Sequence, residues 1–540
     1  MLRTVKLFIN FLLTALVFTF FMQILILFLN PLVALSPVDL LLMFLDLAIF
    51  FVPLWFLIIA LAFLIVQFFS ESHYPIGFID PPTPIYFFSF TILIISAIIY
   101  SNYEYYLDFF NNATRFKFIR LLLLLALLII LGILFIFLKG RKKRLIQLLF
   151  SLVLLATIAF SFLLLPISGP LQAPPLKVPQ VFTTPRTLRI VVMEGLSWDF
   201  IRGMSPEQKL LNFNWINENG VVGRLTTFTP NFELSMLTSL LTGLRPNQYP
   251  LHSDSRFTFR DVDAEFDIFP RYIFFRNSTK LGLVTFFKKG GREIDDSIRQ
   301  YYRSNGFETT QLVIPDIMPI SIFSEKDLKK NNTFVQFFAD TLDKKDAKLT
   351  ILKKAFFYDD FVRRQIRGSK ESSDRYSLAY LNGLEKVIAH FFPYLDRETF
   401  ASVAEAGIDK YGGTIERYYQ YYDSIIGKLI ASMGDDEMLV VLSFYEAEAL
   451  PPWRRVVANV LGRRDVFVYK PLRSQGTILM YEKAALKRGQ YLDSLSITDV
   501  FPTLMYYAGF PLSRRLQGEV CRDIFADEFV KNNPIYFLLE

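Results

Sequence analysis

Five long runs of Leu, Ile, Val and Phe crowd residues 1–167, and nothing later in the 540-residue chain resembles them. Each run approaches the roughly 20 residues that a helix needs to cross a bilayer. Backbone polar groups in hydrocarbon must be satisfied within the segment, so runs of this kind fold as membrane helices and not as the core of a water-soluble globule. The pattern predicts helices over Val5–Phe28, Val38–Phe69, Tyr86–Tyr100, Phe118–Leu138 and Leu145–Leu165. The second is over-long and contains Pro53, which predicts a tilt or kink. No small-residue cleavage site follows the first run, so it reads as a retained helix.

Basic residues set the expected orientation. Lys139-Gly140-Arg141-Lys142-Lys143-Arg144 joins the fourth and fifth helices and is expected on the cytoplasmic side, with Arg3 and Lys6 beside it. Five crossings then carry the C-terminal region out of the cytoplasm, to the periplasmic or extracellular face. Arg115, Lys117 and Arg120 would lie on the outer side, against the rule but outweighed by the basic loop. Within the second helix, Asp39 sits near an end, whereas Asp46 is deeper, as a helix contact or a functional acid.

Residues 168–187 are rich in Pro and read as an extended tether. A domain of ordinary globular composition occupies 188–540. Its opening run, Leu188 to Glu194, is continuously apolar until its last residue, as suits a strand buried on both faces of a parallel sheet. Further strands are expected at 281–287, 310–314, 400–404, 438–443 and 477–481, with helices between them, including 414–433 and 497–508. That alternation predicts an α/β domain with a mostly parallel sheet.

The lone Cys521 excludes an intrachain disulfide. A net charge of +7 is modest and spread out, and no nucleic-acid module is visible. Only His73, His252 and His390 are present, too few for a two-zinc site within the domain.

Four landmarks carry the chemistry. Glu194-Gly195-Leu196-Ser197-Trp198-Asp199 ends the first strand at the edge where open α/β sheets bind ligands. Thr229-Pro230-Asn231 leads through Glu233 and Ser235 to a helical stretch at Leu237–Gly243 and on to Pro246. Glu405 and Asp409 stand four apart before Gly412-Gly413. Ser443-Phe444-Tyr445-Glu446 ends a buried strand. A fifth segment, Tyr491 to Leu504 followed by Gly509 and Gly518, reads as a helix opened by the caps Ser496, Thr498 and Asp499.

Together these landmarks resemble the alkaline phosphatase superfamily, with its phosphodiesterases and sulfatases, over about residues 188–530. The membrane-anchored form is similar to lipoteichoic acid synthases and phosphoethanolamine transferases of the bacterial envelope. The resemblance implies phosphoester or sulfoester hydrolysis or transfer with metal ions. It places the nucleophile nine residues before Thr242 (242 − 9 = 233), where this chain has Glu233 in place of a hydroxyl or thiol. It places metal ligands at Glu194, Glu405 and Asp409, and again where Phe444 and Tyr445 stand. Aromatic side chains cannot replace both ligands of a dication. The expectation is a catalytically degenerate protein that binds an envelope glycolipid, an anionic polymer or a partner protein. The alternative is a working hydrolase or transferase with an altered site, using Ser235 or a water. The cofactor is then none, or one divalent cation such as Mg, Ca or Mn held by carboxylates. Arg454 and Arg455, with Arg463 and Arg464, are candidates for an anion clamp or for solvated surface.

Overall fold

A computed structural model describes residues 2–31, 33, 35–69, 83–138, 141–163, 186–204, 210–248, 255–271, 274–288, 332–338, 347–366, 376–396, 400, 405–460, 468–469, 475–514 and 516–537. The chain divides into two compact units. One comprises residues 1–173 and 246–289, the other 174–245 and 290–540.

The first unit holds α1 (Leu2–Leu29), α2 (Pro37–Phe69), α3 (Thr83–Tyr105), α4 (Asn112–Phe137) and α5 (Arg141–Leu163). All five are long and apolar enough to cross a membrane, as expected. α2 continues through Pro53. α3 is longer than the apolar run because its polar end is used. Asn102 is fully buried, and its side-chain amide bonds main chain on both sides. α4 starts early because Asn111 caps it, accepting from the N–H of Thr114 at 2.8 Å. The guanidinium of Arg115 donates to the carbonyls of Leu107 and Phe110, so this apparent exception to the charge rule has a local task.

Residues 246–289 belong to this unit although the chain places them after the Thr229–Pro246 landmark. They contain the antiparallel pair β3 (Ser255–Phe259) and β4 (Val284–Lys288). Two buried asparagines fasten this segment to the helices. Asn30 Oδ1 accepts from the N–H groups of Asp267 and Ile268 at 2.9 and 2.8 Å, and its Nδ2 donates to the Ile268 carbonyl at 2.8 Å. Asn102 Oδ1 accepts from the Arg271 N–H at 2.8 Å, and Tyr106 donates to the Phe269 carbonyl at 2.6 Å. A neutral amide supplies both a donor and an acceptor, so it can satisfy main chain without burying charge. Asp46 is buried, with Arg260 at 3.9 Å, so it meets this segment.

The second unit is built on β1 (Thr187–Met193), followed by α6 (Trp198–Gly203), α7 (Leu211–Asn219), β2 (Val221–Thr226) and α8 (Glu233–Thr242). Then come α9 (Asn332–Phe338), α10 (Ala347–Gln365), β5 (Tyr376–Leu381), α11 (Gly383–Leu395), α12 (Glu405–Tyr411), α13 (Thr414–Ala431) and β6 (Glu437–Ser443). The chain continues through β7 (Glu448–Ala449), α14 (Pro452–Val460), β8 (Val468–Tyr469), β9 (Gln475–Tyr481), β10 (Gln490–Ser496), α15 (Ile497–Ala508) and α16 (Asp527–Asn532). The main sheet runs β10-β2-β9-β6-β1-β5. It is parallel except at β9, which is antiparallel to both neighbours. β6 is buried at all seven positions, which is why its sequence is unbroken by polar alternation.

One expectation shifts, and two fall on residues that are not described. The run at 281–287 forms β4, starting at Val284, and pairs with β3 instead of joining the main sheet. The strand at 310–314 and nearly all of that at 400–404 lie outside the described residues. Conversely, β2, β5 and β10 were not expected as strands, being short or mixed in polarity; packing places them in the sheet all the same.

Candidate functional site

The parallel register brings the C-terminal ends of β1, β5 and β6 side by side. Val192 lies opposite Tyr380 on one side and Leu442 on the other. Glu194, Asn382 and Phe444 therefore leave the sheet together at one edge. Glu194 is wholly buried, and its N–H donates to the Leu381 carbonyl at 2.8 Å. Gly195 follows with φ of +86°, and a side chain there would press on the backbone of Glu385 at 3.0 Å. Its N–H donates to Ser443 Oγ at 3.1 Å, and Ser443 donates to the Tyr445 carbonyl at 3.0 Å. Asn231 Nδ2 reaches the Phe444 carbonyl at 2.8 Å, joining the loop before α8 to the same edge. The backbone scaffold of the edge is thus tightly specified.

The side chains on it are phenols and carboxylates. Tyr380 donates to Glu194 Oε1 at 3.3 Å. Burial raises the Tyr380 hydroxyl well above the usual phenol range, and Glu194, Glu233 and Glu385 raise it further. Tyr445 is raised likewise, by burial first, then by Glu385 and Glu194, with a hydrogen bond to Glu385 and a smaller effect of Glu233. Both phenols are therefore neutral donors at any physiological pH. Glu233 is the first residue of α8, in the turn where the helix dipole favours an acid. A phosphoryl or sulfuryl oxygen would compete for that same end.

Of the residues singled out in the sequence, Glu194 and Glu233 both lie near enough to Tyr445 to raise its hydroxyl. Phe444 is buried completely. Glu405 and Asp409 are exposed on the short α12. Ser235 is buried inside α8. Arg454 and Arg455 are on α14, stacked over Trp453 at 5.1 Å and Phe400 at 4.6 Å; Arg463 and Arg464 lie outside the described residues. Glu385 and Tyr380 were missed. The signal for them was Tyr376 to Leu381 before Asn382-Gly383, a strand-and-turn pattern ending beside β1.

A second polar cluster positions Glu385. Gly383 opens α11, and its N–H donates to both oxygens of Asp359 at 3.1 Å. Tyr418 and Tyr422 donate to Asp359 Oδ2 at 2.8 and 2.9 Å. A side chain at residue 383 would fall 2.0 Å from the Tyr418 hydroxyl and 2.2 Å from Asp359, so only glycine fits. Burial pushes the Asp359 carboxyl up to about 6, against the two tyrosines, the Gly383 N–H and Lys386, which lower it.

The donor set does not fit a pair of zinc ions. Phe444 offers no donor atom, and Tyr445 offers a phenol held protonated. Glutamates suit a hard cation by type.

Residues 188–445 match the family described as type I phosphodiesterase / nucleotide pyrophosphatase, and the resemblance to the alkaline phosphatase superfamily is borne out. No curated protein matches the chain. Among solved structures, it is similar to an inactive murine ectonucleotide pyrophosphatase/phosphodiesterase 5 in complex with AMP, at 10% identity and a TM-score of 0.34, covering 63% of this chain and 100% of that one. It is also similar to the human ectonucleotide pyrophosphatase/phosphodiesterase 5, at 11% identity and a TM-score of 0.33, with coverage of 63% and 100%.

Proposed function

We propose that this domain, a type I phosphodiesterase / nucleotide pyrophosphatase domain by its match over residues 188–445, binds a ligand at the sheet edge and does not hydrolyse it. The observation that carries this reading is Glu233 at the start of α8. A carboxylate there supplies no activated hydroxyl, and its charge repels the anionic group that a phosphodiesterase must seat. The retained scaffold at Gly195, Ser443 and Asn231 supports an edge kept for binding. The ligand is an envelope glycolipid, an anionic polymer or a partner protein, reached from the membrane that the five helices span. We place the domain outside the cytoplasm, on the side opposite the basic 139–144 turn.

The alternative reading, a hydrolase or transferase with an altered site, is favoured by the family match and by the convergence of Glu194, Glu233 and Glu385 on Tyr380. Turnover separates the two. The full chain in lipid nanodiscs is assayed against a chromogenic phosphodiester with Zn, Mn or Mg supplied. The binding reading expects no turnover above the empty-nanodisc rate, from the native protein or from Ser235→Ala. Turnover lost in Glu233→Gln would overturn it.

A further inference from the structure

Asp359 on α10 is wholly buried, and among the described residues its hydrogen-bond partners are all neutral: the Gly383 N–H and the hydroxyls of Tyr418 and Tyr422. The charged groups around it are engaged elsewhere. On its own helix, Asp360 pairs with Arg363 and Arg364. On α11, Lys386 attracts Asp359 from a distance, while its amine bonds Asn382 Oδ1 at 3.0 Å. On α13, Tyr421 faces it beside Tyr418 and Tyr422, and burial keeps all three phenols protonated. β5, which packs on α10, and α9, which packs on α13, carry no acid or amine.

Bonds from neutral donors repay only part of the hydration that an ionised carboxyl gives up on burial. Burial therefore wins, and the carboxyl stands at about 6. The cluster can receive either form, because a phenol donates to a carboxylate and accepts from a carboxylic acid. Asp359 also sits where its charge has consequences. It grips Gly383, the first residue of α11, and Glu385 lies in the same turn. Glu385 in turn bonds the Tyr445 hydroxyl at the sheet edge.

We propose that Asp359 is a proton-operated catch on the first turn of α11. With its proton it stays beneath Gly383 and holds Glu385 at the edge. Without it, the carboxylate is drawn towards water and the turn loosens, as a local opening and not an unfolding of the domain. The edge is then firm in acid and looser near neutrality. That this regulates ligand binding rests on the function proposed above; the catch itself does not.

The test uses the full chain in nanodiscs and needs no ligand, so its outcome is independent of whether the edge binds one. Cys521 is the only cysteine, and Cys521→Ser gives the background. Val387→Cys puts a thiol at a fully buried position of α11, one turn after Gly383, and Leu211→Cys on α7, 64% exposed, is the reference. Each is reacted with a pyridyl disulfide, which works in acid and at neutral pH. Dividing the rate at 387 by that at 211 removes the titration of the thiol itself. A carboxyl raised from 3.8 to about 6 predicts a rise in this ratio of about 50-fold between pH 4 and pH 7. Asp359→Asn, which keeps the shape of the neutral acid, should hold the ratio low and flat. Lys386→Gln, which removes a cation that lowers Asp359, should carry the rise to higher pH. A ratio that ignores pH would overturn the proposal, as would the same rise in Asp359→Asn, which would assign it to another group such as His390. If Asp359→Asn leaves α11 open at every pH, Lys386→Gln decides, and an unmoved rise there overturns the proposal.

Discussion

The two ends of β1 sit in the same sheet and are treated oppositely. At the N-terminal end Arg189 and Glu437 are both buried and form an ion pair across to β6. Ser432 Oγ accepts from Arg189 at 3.2 Å, and Glu437 accepts the Gly434 N–H at 2.8 Å. Charge is balanced there. At the C-terminal end, Glu194, Glu233 and Glu385 are gathered around two phenols, and all three raise those phenols in the same direction. Balanced charge suits a place that has only to hold the sheet together. Carboxyl groups and neutral phenols gathered at one edge suit a place where a ligand is met, because they are the groups that bind hydroxyls or ammonium groups.

The contrast can be broken at the balanced end first. Arg189→Met strands Glu437 in the sheet and should cost about 3–5 kcal/mol. Hydrogen exchange of the β1 amides in the full-length protein reads that loss, and an unchanged rate would mean the pair contributes nothing.

Next in size is Asp359, the buried acid behind Glu385. Its carboxyl is raised to about 6 in the folded protein, above the ordinary aspartate value of 3.8. Folding therefore favours its protonated form. The stability from this group is fully present below its unfolded value and is lost as pH rises through about 6. A shift of about 2 pH units corresponds to about 3 kcal/mol. Exchange of the α11 amides measured from pH 4 to pH 7 should show that loss after correction for intrinsic rates, and Asp359→Asn should flatten it.

In the helical unit, Asn30→Ala leaves the N–H groups of Asp267 and Ile268 without their acceptor and should cost about 1–3 kcal/mol. Faster exchange confined to residues 266–271 is the expected sign. The smallest effect is expected at the crowded end. Glu194→Gln keeps the shape of the side chain and an acceptor for Tyr380, and should leave stability within about 1 kcal/mol of the native protein. A large loss there would show that the Glu194 carboxyl is as necessary to the sheet as that of Glu437.

Much of this architecture is legible in the sequence because it rests on burial. The five membrane runs, β1, β6, α13 and α15 each carry an apolar pattern that only one kind of element satisfies. Glu194 could be read because it ends such a run. The boundary of the helical unit could not be read. It depends on two asparagine amides bonding main chain more than 160 residues away, which leaves no local periodicity. Glu385 and Tyr380 were hidden for a related reason. Glu385 looks like any acid in a first helical turn, and only the pairing of β5 with β1 brings it to the edge.

The proposed function holds that the edge keeps the scaffold of a phosphodiesterase without its metal chemistry. The most direct test is metal content: mass spectrometry of the full-length protein, purified without chelator and again after incubation with zinc, manganese and magnesium. The account expects less than stoichiometric metal in both samples, with no difference between the native protein and Glu194→Ala. Stoichiometric metal that Glu194→Ala abolishes would contradict it and would make the domain a metalloprotein with an altered site.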